Sequence, residues 1–425
     1  MKFRNFLKKN RLLNKKIFFL FFLLLIIFLI HFNFFGIKYQ IYQTYPNLEL
    51  RKKLLSKNSV MNNLKNDYNV KFLPETQFLK LSFNKIKLNF SESLYLNLPI
   101  NKYITFFIEL LNDEIWIVDY VGNIYRTNIE KVKLAKMKNN NLDLKVINSN
   151  LSAEKVLDTL IDDQYIYIYF VKSKHNCKSV SISMAKIDSQ YLNFENLYNS
   201  NECGNNIRVS RMQFYTHNDS KGLLFTTNNV FQDQPDKDLS QNENSIFGKI
   251  IFIDFETKNN ITFSKGHRNS QGLYVENNLI LSTDHGPMGG DEINKIIFNR
   301  NYGWPISSYG EKYLHSNIDK PDYLKDHKSL GFEEPIFSFV PAIGISEIIK
   351  LPNSFSAHYI DNFILSSLWG SSIYRIKFDE NYDRIIFIEK IFIGQRIRDL
   401  KYHYKMNAIF LALENDNGEL GILLK

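Results

Sequence analysis

The chain has 425 residues, of which 44% are hydrophobic, 15% aromatic and 23% charged, a composition that excludes a disordered chain, a collagen-like repeat and a small disulfide scaffold. Its formal charge is +9, but Lys2, Arg4, Lys8, Lys9, Arg11, Lys15 and Lys16 all fall in the first sixteen residues, which hold no acid. The remainder carries 46 bases against 44 acids, so it is nearly neutral and lacks the basic footprint of a nucleic-acid binder.

In chain order, residues 1–16 are a basic cytoplasmic tail. Residues 17–36 open with an unbroken apolar run from Ile17 to Ile30. About 20 residues at ~1.5 Å rise make ~30 Å of helix, the thickness of a bilayer core, which predicts a transmembrane signal-anchor helix. A cleaved secretory signal is the competing reading, although Phe34-Phe35-Gly36-Ile37 lacks the paired small residues a signal peptidase needs. Positive charge ahead of the span predicts a single-pass protein of the inner membrane, with its N-terminus inside and its bulk in the periplasm or exterior. Residues 37–75 are polar, rich in Lys and Asn, and predict a stalk.

Over residues 76–425 short runs with period-two alternation and β-branched or aromatic enrichment recur. They include Glu114 to Tyr120, Asn123 to Arg126, Tyr165 to Val171, Ser179 to Ile187, Gly222 to Thr227, Lys249 to Phe255 and Leu279 to Thr283. Further runs are Phe363 to Leu368, Ser372 to Phe378, Ile385 to Ile391, Ala408 to Leu413 and Leu420 to Leu424. Turns such as Val121-Gly122-Asn123 and Asn415-Asp416-Asn417-Gly418 carry hairpin chemistry. No long amphipathic helix is evident. So many antiparallel strands exceed one open sheet and require a sandwich pair or a propeller, of which a propeller manages its edges by radial repetition. Cys177 and Cys203 both fall in the exported part, where a bridge can form; two separate buried thiols are the alternative.

One stretch carries chemistry. Gly266-His267-Arg268-Asn269-Ser270-Gln271-Gly272-Leu273 is followed by a strand, then by Asp284-His285-Gly286-Pro287-Met288-Gly289-Gly290-Asp291-Glu292-Ile293-Asn294, and ends at Asn301-Tyr302-Gly303-Trp304-Pro305. Glycine turns of this kind let backbone carbonyls approach a ligand, and hard oxygen donors suit Ca²⁺. Polar loops that only satisfy one another are the bland alternative.

These motifs resemble the family of pyrroloquinoline-quinone-dependent sugar dehydrogenases, the glucose/sorbosone dehydrogenase group. Gly394-Gln395-Arg396-Ile397-Arg398-Asp399-Leu400 is similar to the family's R-I-R-D segment, and Glu414 to Leu420 to the acidic turn after it. Weaker similarity at Glu114 to Thr127 and at Ser210 to Asp254 extends the resemblance to roughly residues 90–425. It implies an all-β, six-bladed β-propeller behind the anchor helix. It also implies pyrroloquinoline quinone (PQQ) and Ca²⁺ as cofactors and a small-molecule sugar or alcohol as substrate, and leaves the electron acceptor unspecified. Arg268 and Asn269 match positions that contact the quinone and the reacting oxygen. Gly286 and Pro287 match the carbonyls that hold Ca²⁺ on the cofactor, and Glu292 and Tyr302 match a second, structural Ca²⁺ site. Arg396 and Arg398 match the pair that faces the cofactor carboxylates, and residues two apart on a strand do share a face. Salt bridges to neighbouring blades are the alternative role for that pair.

The sequence departs from the family where turnover is decided. The catalytic histidine lies four residues before the Arg of an H-x-G-x-R segment; Arg211 matches the Arg, and the histidine position is Ile207. His217 is expected at the surface rather than as a displaced base. The family's lysine in S-L-K-G is Trp369, the acid expected ten positions after Tyr302 is Lys312, and a glutamine expected near Ala153 is lost. His267, His285, Tyr302 and Trp304 are expected in packing roles. Two functions stand against each other: a membrane-anchored quinoprotein oxidising a sugar or related alcohol, and a non-catalytic propeller binding a carbohydrate or protein partner at the cell envelope.

Overall fold

The computed structural model describes residues 81–97, 103–174, 177–187, 190–230, 239–313 and 322–425. The basic tail, the anchor helix and the stalk expected over residues 1–75 lie outside the described residues. Among the described residues no helix is long and apolar enough to cross a membrane.

The described strands form six sheets of four or five strands each. The innermost strands, in chain order, are Phe106–Leu111, Lys155–Ile161, Met212–His217, Ser270–Glu276, Ile345–Lys350 and Arg396–His403. Each adjoins the next, and the last adjoins the first, so the sheets close into a ring of six blades. We number the blades by these inner strands. Strands succeed one another outward within each blade through hairpins, whose turn positions Asn112, Asn218, Asp219, Asn277 and Asn407 take the left-handed conformation that Asn and Asp tolerate best.

Blade 6 is completed from the other end of the chain. Ser82–Asn89 pairs antiparallel with Glu419–Leu424, from Ser82 opposite Leu424 to Lys87 opposite Glu419. This removes the edges an open sheet would leave. The core consists of apolar layers between neighbouring blades, for example Tyr169, Ile182, Leu223, Phe225 and Ile251 between blades 2 and 3. The bridge Cys177–Cys203 is formed.

A helix not evident in the sequence pattern, Ile129–Lys138, leaves blade 1. Asn128 caps it by accepting from the Lys131 N–H, Asn139 ends it at φ 52°, and Ile129, Val132 and Ala135 form its buried face.

Bulges at the inner strands position the site. Pairing shifts between Val156 and Asp158, between Ser270 and Gly272, between Ile345 and Ile348, and between Ile397 and Asp399. A bulge bends a strand and re-aims its side chains. The residues at these four bulges, Asp158, Gln271, Glu347, Arg398 and Asp399, are the ones that meet at the centre of the ring.

Candidate functional site

Arg211 is the hub. It precedes the inner strand of blade 3, and its guanidinium pairs with Asp158 of blade 2 at 3.0 Å, with Asp399 of blade 6 at 3.5 Å and with Glu347 of blade 5. It also donates to the Arg398 carbonyl at 2.6 Å. Beside it Lys401 pairs with Glu109 of blade 1 at 3.0 Å. The carboxylates double as backbone acceptors: Asp158 takes the Met212 N–H at 2.7 Å, and Asp399 takes the Ile108 N–H at 2.9 Å. Four buried acids therefore face two cations. Burial pushes Asp158 up to about 7 and Glu109 up to about 8, against the pull of Arg211 and Lys401.

At the start of blade 4 the Arg268-Asn269 backbone is pinned. Asp284 accepts the Arg268 N–H at 2.9 Å and the Asn269 N–H through its other oxygen. Asn229 N–H donates to the Arg268 carbonyl at 2.9 Å. The Arg268 guanidinium lies 5.2 Å over the Trp304 ring and donates to the His285 carbonyl at 3.0 Å. Asn269 is only 2% exposed. Arg268 Nε and Asn269 Oδ1 are buried without a hydrogen-bond partner, the condition of groups that await a ligand.

Arg268 shares a cavity with Gly286, Glu292, Tyr302, Trp304 and Ser308. Gly286 is required there, since a Cβ would stand 2.1 Å from the Gly289 carbonyl oxygen. Its N–H donates to Asp291 at 3.0 Å, and Asp291 also takes the Ile343 and Ile345 N–H groups at 2.9 and 3.0 Å, tying this turn to blade 5. Pro287 is buried beside it, with its carbonyl accepting from the Tyr313 hydroxyl at 3.1 Å.

Glu292 is pushed up to about 8 by burial and by the charges of Asp284 and Asp291. Tyr302 uses its side chain for packing: it stacks on His267 at 4.7 Å and donates to the Lys295 carbonyl at 2.6 Å. Among the described residues no group of three or more His, Cys, Asp or Glu side chains is arranged to hold a metal ion.

Arg396 and Arg398 do share a face, but not toward neighbouring blades. Both grip Glu414, which lies opposite Arg396 in the adjacent strand. Arg396 Nε and Nη2 donate to one carboxylate oxygen at 3.2 and 3.1 Å, and Arg398 Nε to the other at 2.6 Å. Thr105 Oγ1 adds a further bond at 2.8 Å. The two guanidiniums outweigh burial and pull Glu414 down to about 2. Arg398 also reaches Gln271, two residues after Asn269, at 2.5 Å. His285 feels both Arg268 and Arg398, and with burial as the larger cause it is pushed down to about 4.

The departures have structural counterparts. Ile207 is 7% exposed and packs in the apolar layer with Tyr198, Met212 and Val230. The polar neighbour of its carbonyl is Lys155, whose Nζ donates at 2.9 Å. Trp369 is 50% exposed, and its backbone N lies 2.9 Å from where a Gly344 Cβ would stand. Lys312 lies 5.7 Å over the Tyr323 ring. His217 packs on Phe298 at 4.8 Å and is no part of the hub. His267 and His285 are tied to Ser264 and to the Ile345 carbonyl, the packing roles expected of them. Sequence reasoning missed Glu109, Asp158, Glu347 and Lys401. For the three acids the signal was a charge inside an otherwise largely apolar inner strand, as in Val156-Leu157-Asp158-Thr159-Leu160; Lys401 lies in a strand already rich in charge.

Comparison with known proteins agrees with this architecture. The aldose sugar dehydrogenase of Escherichia coli is 27% identical over 162 residues, 37% of this chain and 42% of that protein. The chain thus matches less than half the length of that relative. The crystal structure of the soluble E. coli aldose sugar dehydrogenase in its apo form covers 80% of this chain and 99% of its own at 16% identity, with a TM-score of 0.62. The PQQ-bound aldose sugar dehydrogenase of Streptomyces coelicolor covers 81% of this chain and 98% of its own at 15% identity and a TM-score of 0.54. Both structures share the fold. The pattern of the Glucose / Sorbosone dehydrogenase family matches residues 155–423, more than half of the sequence, and the chain belongs to that family.

Proposed function

We propose that the propeller binds pyrroloquinoline quinone next to Arg268 and Asn269 and oxidises a sugar or related alcohol. Membership of the family supports this reading, and one observation carries it: Arg268 Nε and Asn269 Oδ1 are buried and unpartnered beside the Gly286-Pro287 turn. In the proposed complex the quinone supplies the hydride acceptor, since the redox chemistry belongs to the cofactor. Arg268 and Asn269 would orient it, the Gly286 and Pro287 carbonyls would hold a Ca²⁺ on it, and Arg396 and Arg398 would be the cations for its carboxylates. Glu414 already pairs with both arginines and leaves them one net positive charge, so it would compete with the cofactor.

Ile207 offers no acceptor for the substrate hydroxyl proton, and loss of a general base costs about 10²- to 10⁴-fold. We therefore infer slow turnover. The anchor over residues 17–36 would hold the enzyme on the outer side of the inner membrane, facing the periplasm or exterior.

A second reading is a propeller that binds a carbohydrate or protein partner without chemistry. The packing of Ile207 into the apolar layer and the Glu414 clamp favour it. Titration of the purified protein with the quinone and Ca²⁺, followed by dye reduction over a panel of aldoses, separates the two. Quinone binding with slow dye reduction supports the dehydrogenase; carbohydrate binding without quinone binding supports the alternative.

A further inference from the structure

Glu292 was expected at an all-oxygen Ca²⁺ site, yet a nitrogen faces it. His327 Nε2 lies 3.8 Å from Glu292 Oε1, on a histidine that is 1% exposed. Its tautomer follows from its neighbours. Ser307 has a single hydroxyl hydrogen, which it donates to the Leu324 carbonyl at 2.8 Å. At the 3.1 Å contact between Ser307 Oγ and His327 Nδ1, the ring nitrogen must therefore be the donor. That leaves Nε2 as a bare lone pair, and it has no hydrogen-bond partner. Tyr309 stacks on the ring at 5.1 Å and fixes its plane.

A bare ring nitrogen and a carboxyl oxygen thus face each other across 3.8 Å, beyond the roughly 2.7–3.2 Å of a hydrogen bond. Two ligands each about 2.0–2.2 Å from one ion stand about 3.3–3.6 Å apart at a tetrahedral angle and about 3.8 Å apart when the angle opens to roughly 120–140°. A metal-bound histidine almost always donates its other ring N–H to a nearby oxygen, as Nδ1 does here to Ser307. Glu292, Ser307 and Ser308 line one cavity, and water or backbone carbonyls would have to supply the remaining coordination positions. Calcium takes oxygen ligands, whereas imidazole suits the borderline transition metals.

We propose that His327 Nε2 and the Glu292 carboxylate together bind a divalent transition-type cation such as Zn²⁺ in place of the structural Ca²⁺ the family resemblance implies. The test uses the purified full-length chain, stripped with chelator and free of quinone, so its result is independent of the proposed oxidation. Equilibrium dialysis against Zn²⁺ in a hundredfold excess of Ca²⁺ should retain a single equivalent of Zn²⁺, and His327→Gln should weaken that binding by about tenfold or more. Co²⁺ added to the unmodified protein should give the visible absorption of a nitrogen-ligated site. Displacement of Zn²⁺ by Ca²⁺ in the unmodified protein, or a folded His327→Gln variant that binds Zn²⁺ as tightly as its parent, would overturn the assignment. If the variant does not fold, the competition and the Co²⁺ spectrum decide the matter alone.

Discussion

Replacing Arg211 with Met keeps the bulk of the side chain and removes its charge from the centre of the ring. Three carboxylates, Asp158, Glu347 and Asp399, then lose their shared cation, and all three side chains are buried. Breaking one buried ion pair costs about 3–5 kcal/mol, and with three acids converging the loss should fall at the upper end of that range. The acids will respond by keeping their protons. Asp158 already holds its proton up to about 7 with Arg211 in place. An acid whose folded pKa exceeds its unfolded value is neutral in both states at low pH and loses stability as pH rises past the unfolded value. Each proton retained at neutrality makes the variant lose about 1.4 kcal/mol per pH unit. Urea unfolding at pH 4.5 and at pH 7.5 therefore should show a modest defect at the lower pH and a much larger one at the higher. A loss under about 1 kcal/mol, or one that does not change with pH, would refute the hub as a charge-compensated core.

Glu414→Gln removes the partner of two arginines. Because Glu414 is pulled down to about 2, its contribution is present above its unfolded pKa and lost on acidification between about 4.5 and 2. The parent should lose about 3 kcal/mol over that window and the variant should not, as followed by acid titration of unfolding. The same variant should bind quinone more tightly if Glu414 competes with the cofactor. Glu109, held up to about 8 mainly by burial, acts in the opposite sense, so Glu109→Gln should gain about 1 kcal/mol or more in stability relative to its parent between pH 5 and pH 8. Removing the bridge by Cys177→Ser with Cys203→Ser frees a loop of 26 residues and should lower stability by about 3 kcal/mol in denaturant unfolding.

Ser372–Phe378 was legible because Arg375 and Lys377 alternate with Tyr374, Ile376 and Phe378, and Ala408–Glu414 because a continuous apolar run is bounded by turn residues. Inner strands such as Phe106–Leu111 were less so, since they are buried on both faces and lose the period of two. Ser82–Asn89 carries a short alternation at Ile86 and Leu88, yet its partner lies at the other end of the chain and no local pattern announces that pairing. The Arg-Asn and Gly-Pro motifs lie together at the start of blade 4. What they could not convey was occupancy: that Glu414 satisfies both arginines, that Pro287 already accepts a hydroxyl, and that Ile207 faces an apolar layer. Each of these is a side-chain contact that no local pattern in the sequence announces. Bulges explain the missed hub, because Asp158, Glu347 and Asp399 reach the centre only where the pairing register shifts.

The most direct measurement is a titration of the purified protein with pyrroloquinoline quinone in the presence of Ca²⁺, read by the cofactor's absorbance, on the parent and on Arg268→Ala. Saturable binding by the parent that weakens at least tenfold in the variant is the expected result, since charge-assisted contacts to a buried guanidinium are worth about 1.5–3 kcal/mol. No binding by the parent, or equal binding by both, would contradict a quinone site at Arg268 and Asn269.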